Sequence, residues 1–135
     1  MTKPVVLFAC VRNGGRSLAA KVLAEHHGGD RVEVRSAGSE PGDSLDPAVV
    51  QVLHQRGLST DGEVPELLTP EGVRQAAVVV TMGCGESCPV FPGTAYEDWP
   101  LEDPRGQDLE TVRRIVDAVE VRVVDLLARL EDPPR

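Results

Sequence analysis

The first apolar stretch of the chain, Val5 to Cys10, runs without a polar residue and without alternation. A short β-branched and apolar run of this kind fits a strand covered on both faces, as in a parallel sheet. Ser17 to His27 follows with apolar residues at helical spacing, and Gly28-Gly29 stop it. Arg31 to Ala37 alternates with period two and ends at Gly38, the pattern of a second strand nearer the sheet edge. Asp46-Pro47 provides an N-cap and a first-turn proline for a helix over 48–56, which Gly57 closes. Thr69-Pro70-Glu71 repeats that device before a short helix, and Ala76 to Met82 is a third buried strand. Thr94 to Trp99 reads as a short fourth strand. Val112, Ile115, Val116, Val119, Val123, Leu126 and Leu127 then form one stripe of a helix over 108–130.

This alternation of strand and helix predicts a three-layer α/β/α domain with a four-stranded parallel sheet. At 135 residues, one domain spanning 1–135 with a single self-sufficient core is expected, and a monomer with it. In such sheets ligands bind beyond the carboxyl ends of the strands. Cys10, Gly38, Cys84 and the segment after Trp99 all fall at that end.

Charge narrows the partners. A net charge of −8 argues against nucleic acid, which draws protein through clustered Lys and Arg. The N-terminal apolar run is too short to span a bilayer or act as a secretory h-region, so a cytoplasmic protein without a membrane partner is expected. Thiols stay reduced there, and the three cysteines, Cys10, Cys84 and Cys88, are then reactive or buried thiols rather than a disulfide framework. One Cys-x3-Cys pair does not supply four zinc donors, and His26, His27 and His54 read as surface or packing residues; no metal is expected.

The candidate chemistry lies between the first strand and the first helix, in Cys10-Val11-Arg12-Asn13-Gly14-Gly15-Arg16-Ser17. Successive N–H groups of such a loop form an anion nest, and the helix dipole adds about half a positive charge. Gly14 and Gly15 let the backbone take positive φ and approach a ligand closely, and Asn13 fits the same need. Arg16 presents a planar fork to two oxyanion oxygens, and these surroundings favour the thiolate of Cys10. Ser17 either donates its hydroxyl to that thiolate or caps the helix. Arg12 either adds positive potential at the loop mouth or is solvated. Asp103-Pro104, taken alone, is either a turn before the last helix or a chemically active pair.

Cys-x5-Arg-Ser directly after Val-Leu-Phe-x at the N-terminus resembles the signature of the low-molecular-weight protein tyrosine phosphatase fold. The resemblance implies that Cys10 is the nucleophile, that residues 11–17 bind the oxyanion, and that Asp103 protonates the leaving oxygen. Arg105-Gly106 stands where the phosphatase branch carries a tyrosine pair, and the chain has only one Tyr, one Trp and two Phe for a phosphotyrosine slot.

Ser36-Ala-Gly-Ser-Glu-Pro41, Val79-Val-Thr-Met-Gly-Cys84, Cys88-Pro, Tyr96-Glu-Asp-Trp99 and Glu102-Asp-Pro are similar to the arsenate reductases built on that fold. Similarity to the thioredoxin-coupled members implies that Cys10 forms a thiol-arsenate adduct. Cys84 then attacks Cys10, and Cys88 passes the disulfide to Cys84–Cys88 for reduction by external thioredoxin, with no bound cofactor. Actinobacterial-type relatives instead pass the arsenic to mycothiol and use the first cysteine alone, leaving Cys84 and Cys88 as small buried residues. A phosphomonoesterase and a non-catalytic oxyanion or redox sensor remain alternatives. Lys21 lies where potassium-binding members carry a carboxylate, so an ammonium would replace the cation.

Overall fold

A computed structural model describes residues 3–83 and 93–131. The elements run β1 (Val5–Cys10), α1 (Arg16–Gly28), a 3-10 turn (Gly29–Arg31), β2 (Glu33–Gly38), α2 (Pro47–Gln55), α3 (Pro70–Gln75), β3 (Val78–Thr81), β4 (Ala95–Asp98) and α4 (Leu109–Glu131). All strand pairs are parallel in the order β2-β1-β3-β4, which puts β1 inside the sheet and β2 at its edge. The expected elements are present with boundaries shifted by one or two residues.

Local chemistry sets those boundaries. Asp46 caps α2 by accepting from the Ala48 N–H at 3.0 Å, with Pro47 as the first helical residue. Thr69 caps α3 through the Gly72 N–H. Asp108 caps α4 by accepting from the Thr111 N–H at 2.8 Å, and hydrogen bonds from Thr111 hold its carboxyl below the usual carboxylate range. α1 differs: Gly15 precedes it and no side chain caps it, so its first N–H groups stay uncommitted to a cap.

The two faces of the sheet are covered unequally. Val6, Phe8, Val34, Val78 and Val80 face the larger cluster with α1, α2 and α4, whose buried stripe runs from Val112 to Leu127. Leu7, Ala9, Ala37 and Val79 face a smaller cluster closed by Val73 of α3, Leu68 and Tyr96. Trp99 is buried against Phe8, ring centroids 5.7 Å apart, and anchors the chain as it leaves β4. No helix among the described residues is long and apolar enough to cross a membrane.

An ionic clamp joins β4 to the end of α4. Arg129 donates to both Glu97 carboxylate oxygens at 2.7 and 3.0 Å, and Glu97 also accepts from the Trp99 indole N–H at 3.0 Å. These bonds, the Arg129 one first, hold the Glu97 carboxyl below the usual glutamate range although partial burial opposes it. Glu97 therefore ionises more readily in the folded chain, and its contribution is complete above the ordinary glutamate range and lost as pH falls through the lower folded value. Glu97→Gln is expected to lower the thermal midpoint at neutral pH by roughly 2–4 °C. The difference from the parent should vanish at acid pH, which calorimetry against pH checks; a constant difference would refute the clamp.

Candidate active site

Side chains alternate along a strand, so Cys10 shares the parity of Val6 and Phe8 and points to the α1 side of the sheet. It is 3% exposed and free. The loop after it is held from outside through its carbonyls. The Ser39 N–H donates to the Cys10 oxygen at 3.2 Å, Glu40 to Val11 at 2.8 Å, Gly42 to Arg12 at 3.0 Å and Asp46 to Gly14 at 2.8 Å. In a trans peptide the next N–H points opposite to the carbonyl, so these bonds turn the N–H groups of residues 11, 12, 13 and 15 away from the 39–46 segment. The Asn13 N–H accordingly meets the Cys10 sulfur at 3.3 Å.

Gly38, paired with Cys10 at the end of β2, makes this crossing possible. A Cβ there would lie 2.5 Å from the Val11 oxygen and 3.0 Å from the Asn13 nitrogen. Gly14 and Gly15 depart from expectation, since neither has positive φ; Asn13 alone in the loop does, at 56°. Close packing constrains them instead: a Cβ on Gly14 would stand 3.0 Å from the Ser44 oxygen, and one on Gly15 3.0 Å from Pro104 Cγ.

Asn13 and Ser17 lie beneath the loop, 1% and 0% exposed, rather than at its mouth. Ser17 Oγ is 2.9 Å from the sulfur and accepts from Asn13 Nδ2 at 2.7 Å. Asn13 Oδ1 accepts from the Glu66 N–H at 2.8 Å, which ties the irregular 59–68 segment to the loop. Between the two readings of Ser17, its hydroxyl faces Cys10 and does not cap the helix.

Arg16 is nearly buried, and its Nη1 donates to the Leu101 carbonyl at 3.1 Å. Its Nη2 is 3.9 Å from Asp103 Oδ2, while Asp103 Oδ1 accepts from the Arg105 N–H at 3.0 Å. The turn reading of Asp103-Pro104 is met by one carboxylate oxygen, and the other faces Arg16. Pro104 is buried against Gly15, which fixes this segment on the loop.

A cleft of about 910 Å³ opens over the loop. Cys10, Val11, Arg12, Gly14, Gly15 and Arg16 form its floor; Asp43, Asp46, Asp103, Arg105 and Gln107 stand around it, and none of the described lining residues is aromatic. Arg12 is exposed at this mouth. Gly83 also lines the cleft. The chain thus enters the segment holding Cys84 and Cys88 from the cleft wall, but both cysteines lie outside the described residues.

Sequence patterns did not show Leu101, which acts through its carbonyl, nor the tie from Glu66, which acts through its N–H. Lys21 has an ionic environment: its ammonium is 2.7 Å from Glu63 Oε1 and 3.3 Å from Glu25 Oε1. Burial opposes its charge, but these carboxylates outweigh it and raise the Lys21 pKa. His27 of α1 pairs with Glu120 of α4 at 2.8 Å, whereas His54 is exposed on α2 with its ring 3.3 Å from the Thr60 hydroxyl.

Comparison with known proteins gives the same arrangement a lineage. The model of the family described as low molecular weight phosphotyrosine protein phosphatase matches residues 5–134. The chain belongs to that family. Among its relatives, a "Putative arsenate reductase" of Halobacterium salinarum is 35% identical over 88% of this chain and 87% of its own. A "Glutaredoxin arsenate reductase" of Synechocystis is 32% identical over 93% of this chain and 97% of its own. The solved structure of a thioredoxin-dependent arsenate reductase from Corynebacterium glutamicum superposes with a TM-score of 0.86 at 39% identity. That match covers 98% of this phosphatase-family chain and 64% of the longer Corynebacterium chain.

Asn13→Gly keeps the left-handed backbone available but removes the buried Asn13–Ser17 bond, leaving Ser17 only the Cys10 sulfur, and strips the Glu66 N–H of its partner. Buried polar groups left unpaired cost about 1–3 kcal/mol, so a drop of several degrees in thermal midpoint is expected, with faster amide exchange at Glu66. Unchanged exchange at Glu66 would contradict the tie.

Proposed function

We propose that this protein reduces arsenate to arsenite, with Cys10 as nucleophile. The observation that carries the reading is the buried Cys10 sulfur, faced by the Ser17 hydroxyl and the Asn13 N–H, on the floor of a cleft that also holds Arg16 and Asp103. Arsenate copies phosphate in charge and shape, so inward N–H groups, an uncapped helix start and a guanidinium suit it. Among the described residues that line the cleft none is aromatic, so none of them offers a phosphotyrosine ring a stacking partner. Similarity to arsenate reductases supports arsenate over a phosphate ester.

In this reading the Cys10 thiolate attacks arsenic, and Asp103 delivers a proton to the departing oxygen, which leaves as water. Residues 11–17 hold the remaining oxygens, with Asn13 and Ser17 acting from beneath. Cys84 then attacks the Cys10 sulfur: an S–S bond forms, the S–As bond breaks, and its electron pair goes to arsenic, which leaves as arsenite. Cys88 attacks Cys84, frees Cys10, and leaves Cys84–Cys88 for an external dithiol to reduce. Thioredoxin is the reductant proposed, in a cytoplasmic monomer built as one domain over 1–135. The names of relatives include both thioredoxin- and glutaredoxin-linked reductases, which supports an external thiol donor. The second reading is a phosphomonoesterase, favoured by Asp103 facing Arg16 across the same cleft.

Arsenite release from arsenate with thioredoxin, thioredoxin reductase and NADPH is expected to disappear in Cys10→Ser. It should fall about 10²–10⁴-fold in Asp103→Asn, as for loss of a general acid. Loss in Cys84→Ser and in Cys88→Ser supports the relay, whereas activity surviving both and requiring mycothiol replaces it with adduct transfer. Hydrolysis of p-nitrophenyl phosphate with no arsenite from any thiol donor would overturn the reductase in favour of the esterase.

A further inference from the structure

Gly83 follows β3 and lines the cleft, one residue beyond a rigid anchor. Met82 is wholly buried, and its N–H donates to the Ala9 oxygen at 2.8 Å, so the backbone entering Gly83 is tied to β1. A Cβ on Gly83 would lie 2.2 Å from Arg16 Nη1 and 3.2 Å from Arg16 Cζ, with the Leu101 oxygen at 3.5 Å. The guanidinium therefore occupies the space a side chain would take. It is pressed between the bare Gly83 backbone and the Leu101 carbonyl that accepts from it.

We propose that Gly83 is a positioning residue for Arg16: its missing side chain is the slot that holds the guanidinium at the cleft wall. The proposal rests on Arg16 being an oxyanion ligand, as in the function above. The backbone is tied to β1 at Met82, one residue before Gly83, whereas the guanidinium is the far end of a long side chain held there by the Leu101 carbonyl. A methyl group at 83 therefore resolves the conflict by moving the guanidinium. The slot lies directly before Cys84 in sequence, so the residue that leads into the cysteine segment also sets where the Arg16 guanidinium stands.

Gly83 has φ +81°, and any L side chain there is strained whatever the space. Gly57, with φ +77° and nothing near its missing Cβ, supplies the control for that strain. Inorganic phosphate binding by titration calorimetry, and its inhibition of p-nitrophenyl phosphate hydrolysis, are measured for the parent, Gly83→Ala, Gly57→Ala, Arg16→Ala and the Arg16→Ala,Gly83→Ala pair. Gly83→Ala is expected to weaken phosphate at least tenfold and to raise KM more than it lowers kcat, while Gly57→Ala binds as the parent does. In the Arg16→Ala background the change at 83 should add nothing. Equal weakening in both backgrounds, or parent-like binding by Gly83→Ala, would overturn the slot. A parent that binds no phosphate, or an Arg16→Ala variant that binds it undiminished, would overturn the oxyanion reading instead. If Gly83→Ala is too unstable to assay, removing the guanidinium should recover thermal stability in the pair, and a pair no more stable than Gly83→Ala refutes the proposal.

Discussion

The carbonyls of the loop after β1 are held by a segment 30 residues or so further along the chain, and the planar peptide does the rest. Once Ser39, Glu40, Gly42 and Asp46 have taken those oxygens, the N–H groups between them turn away from that segment. The Asn13 N–H shows the direction, since it meets the Cys10 sulfur. Gly38 has to be bare for the crossing, Asn13 has to be left-handed, and α1 has to begin without a side-chain cap. Each follows from one requirement: the loop's carbonyls are taken from outside, so its donors turn toward the buried sulfur.

A second set of constraints comes from the other end of the chain. Trp99 is driven into the core against Phe8, and the residues after it are laid over the loop, with Pro104 seated on Gly15. Leu101 and Asp103 thereby reach Arg16 from above. The hydrophobic anchor and the ionic contacts act in series. Burial of one indole ring determines where a carboxylate and a carbonyl stand several residues later, and Glu97 ties the same ring to α4.

Much of this was legible in the sequence because it is carried by periodicity and by residues with a single dominant use. The unbroken run of β1, the Asp-Pro and Thr-Pro helix starts, and Cys10 followed by a glycine turn each have few structural solutions. What was not legible falls into two kinds. Backbone groups such as the Leu101 carbonyl and the Glu66 N–H carry no residue signature. Glycines also have two uses, positive φ and bare surface, which the letter alone does not separate; Gly14 and Gly15 are of the second kind. Ser17 left two roles open for a similar reason, and only its distance to the sulfur decides between them.

The parts of the cleft are widely spaced along the chain: the sulfur at 10, the segment bracing the loop at 39–46, the slot at 83, and the overhead contacts at 101–104. Long-range closures of this kind cost entropy before they return any interaction. During synthesis the strand bearing Cys10 emerges first and the pieces around it arrive in order, Leu101 and Asp103 last. A nascent chain therefore carries Cys10 before the groups that surround it. The surroundings of the Cys10 sulfur are complete only when the 39–46 segment and the residues after β4 have closed over the loop.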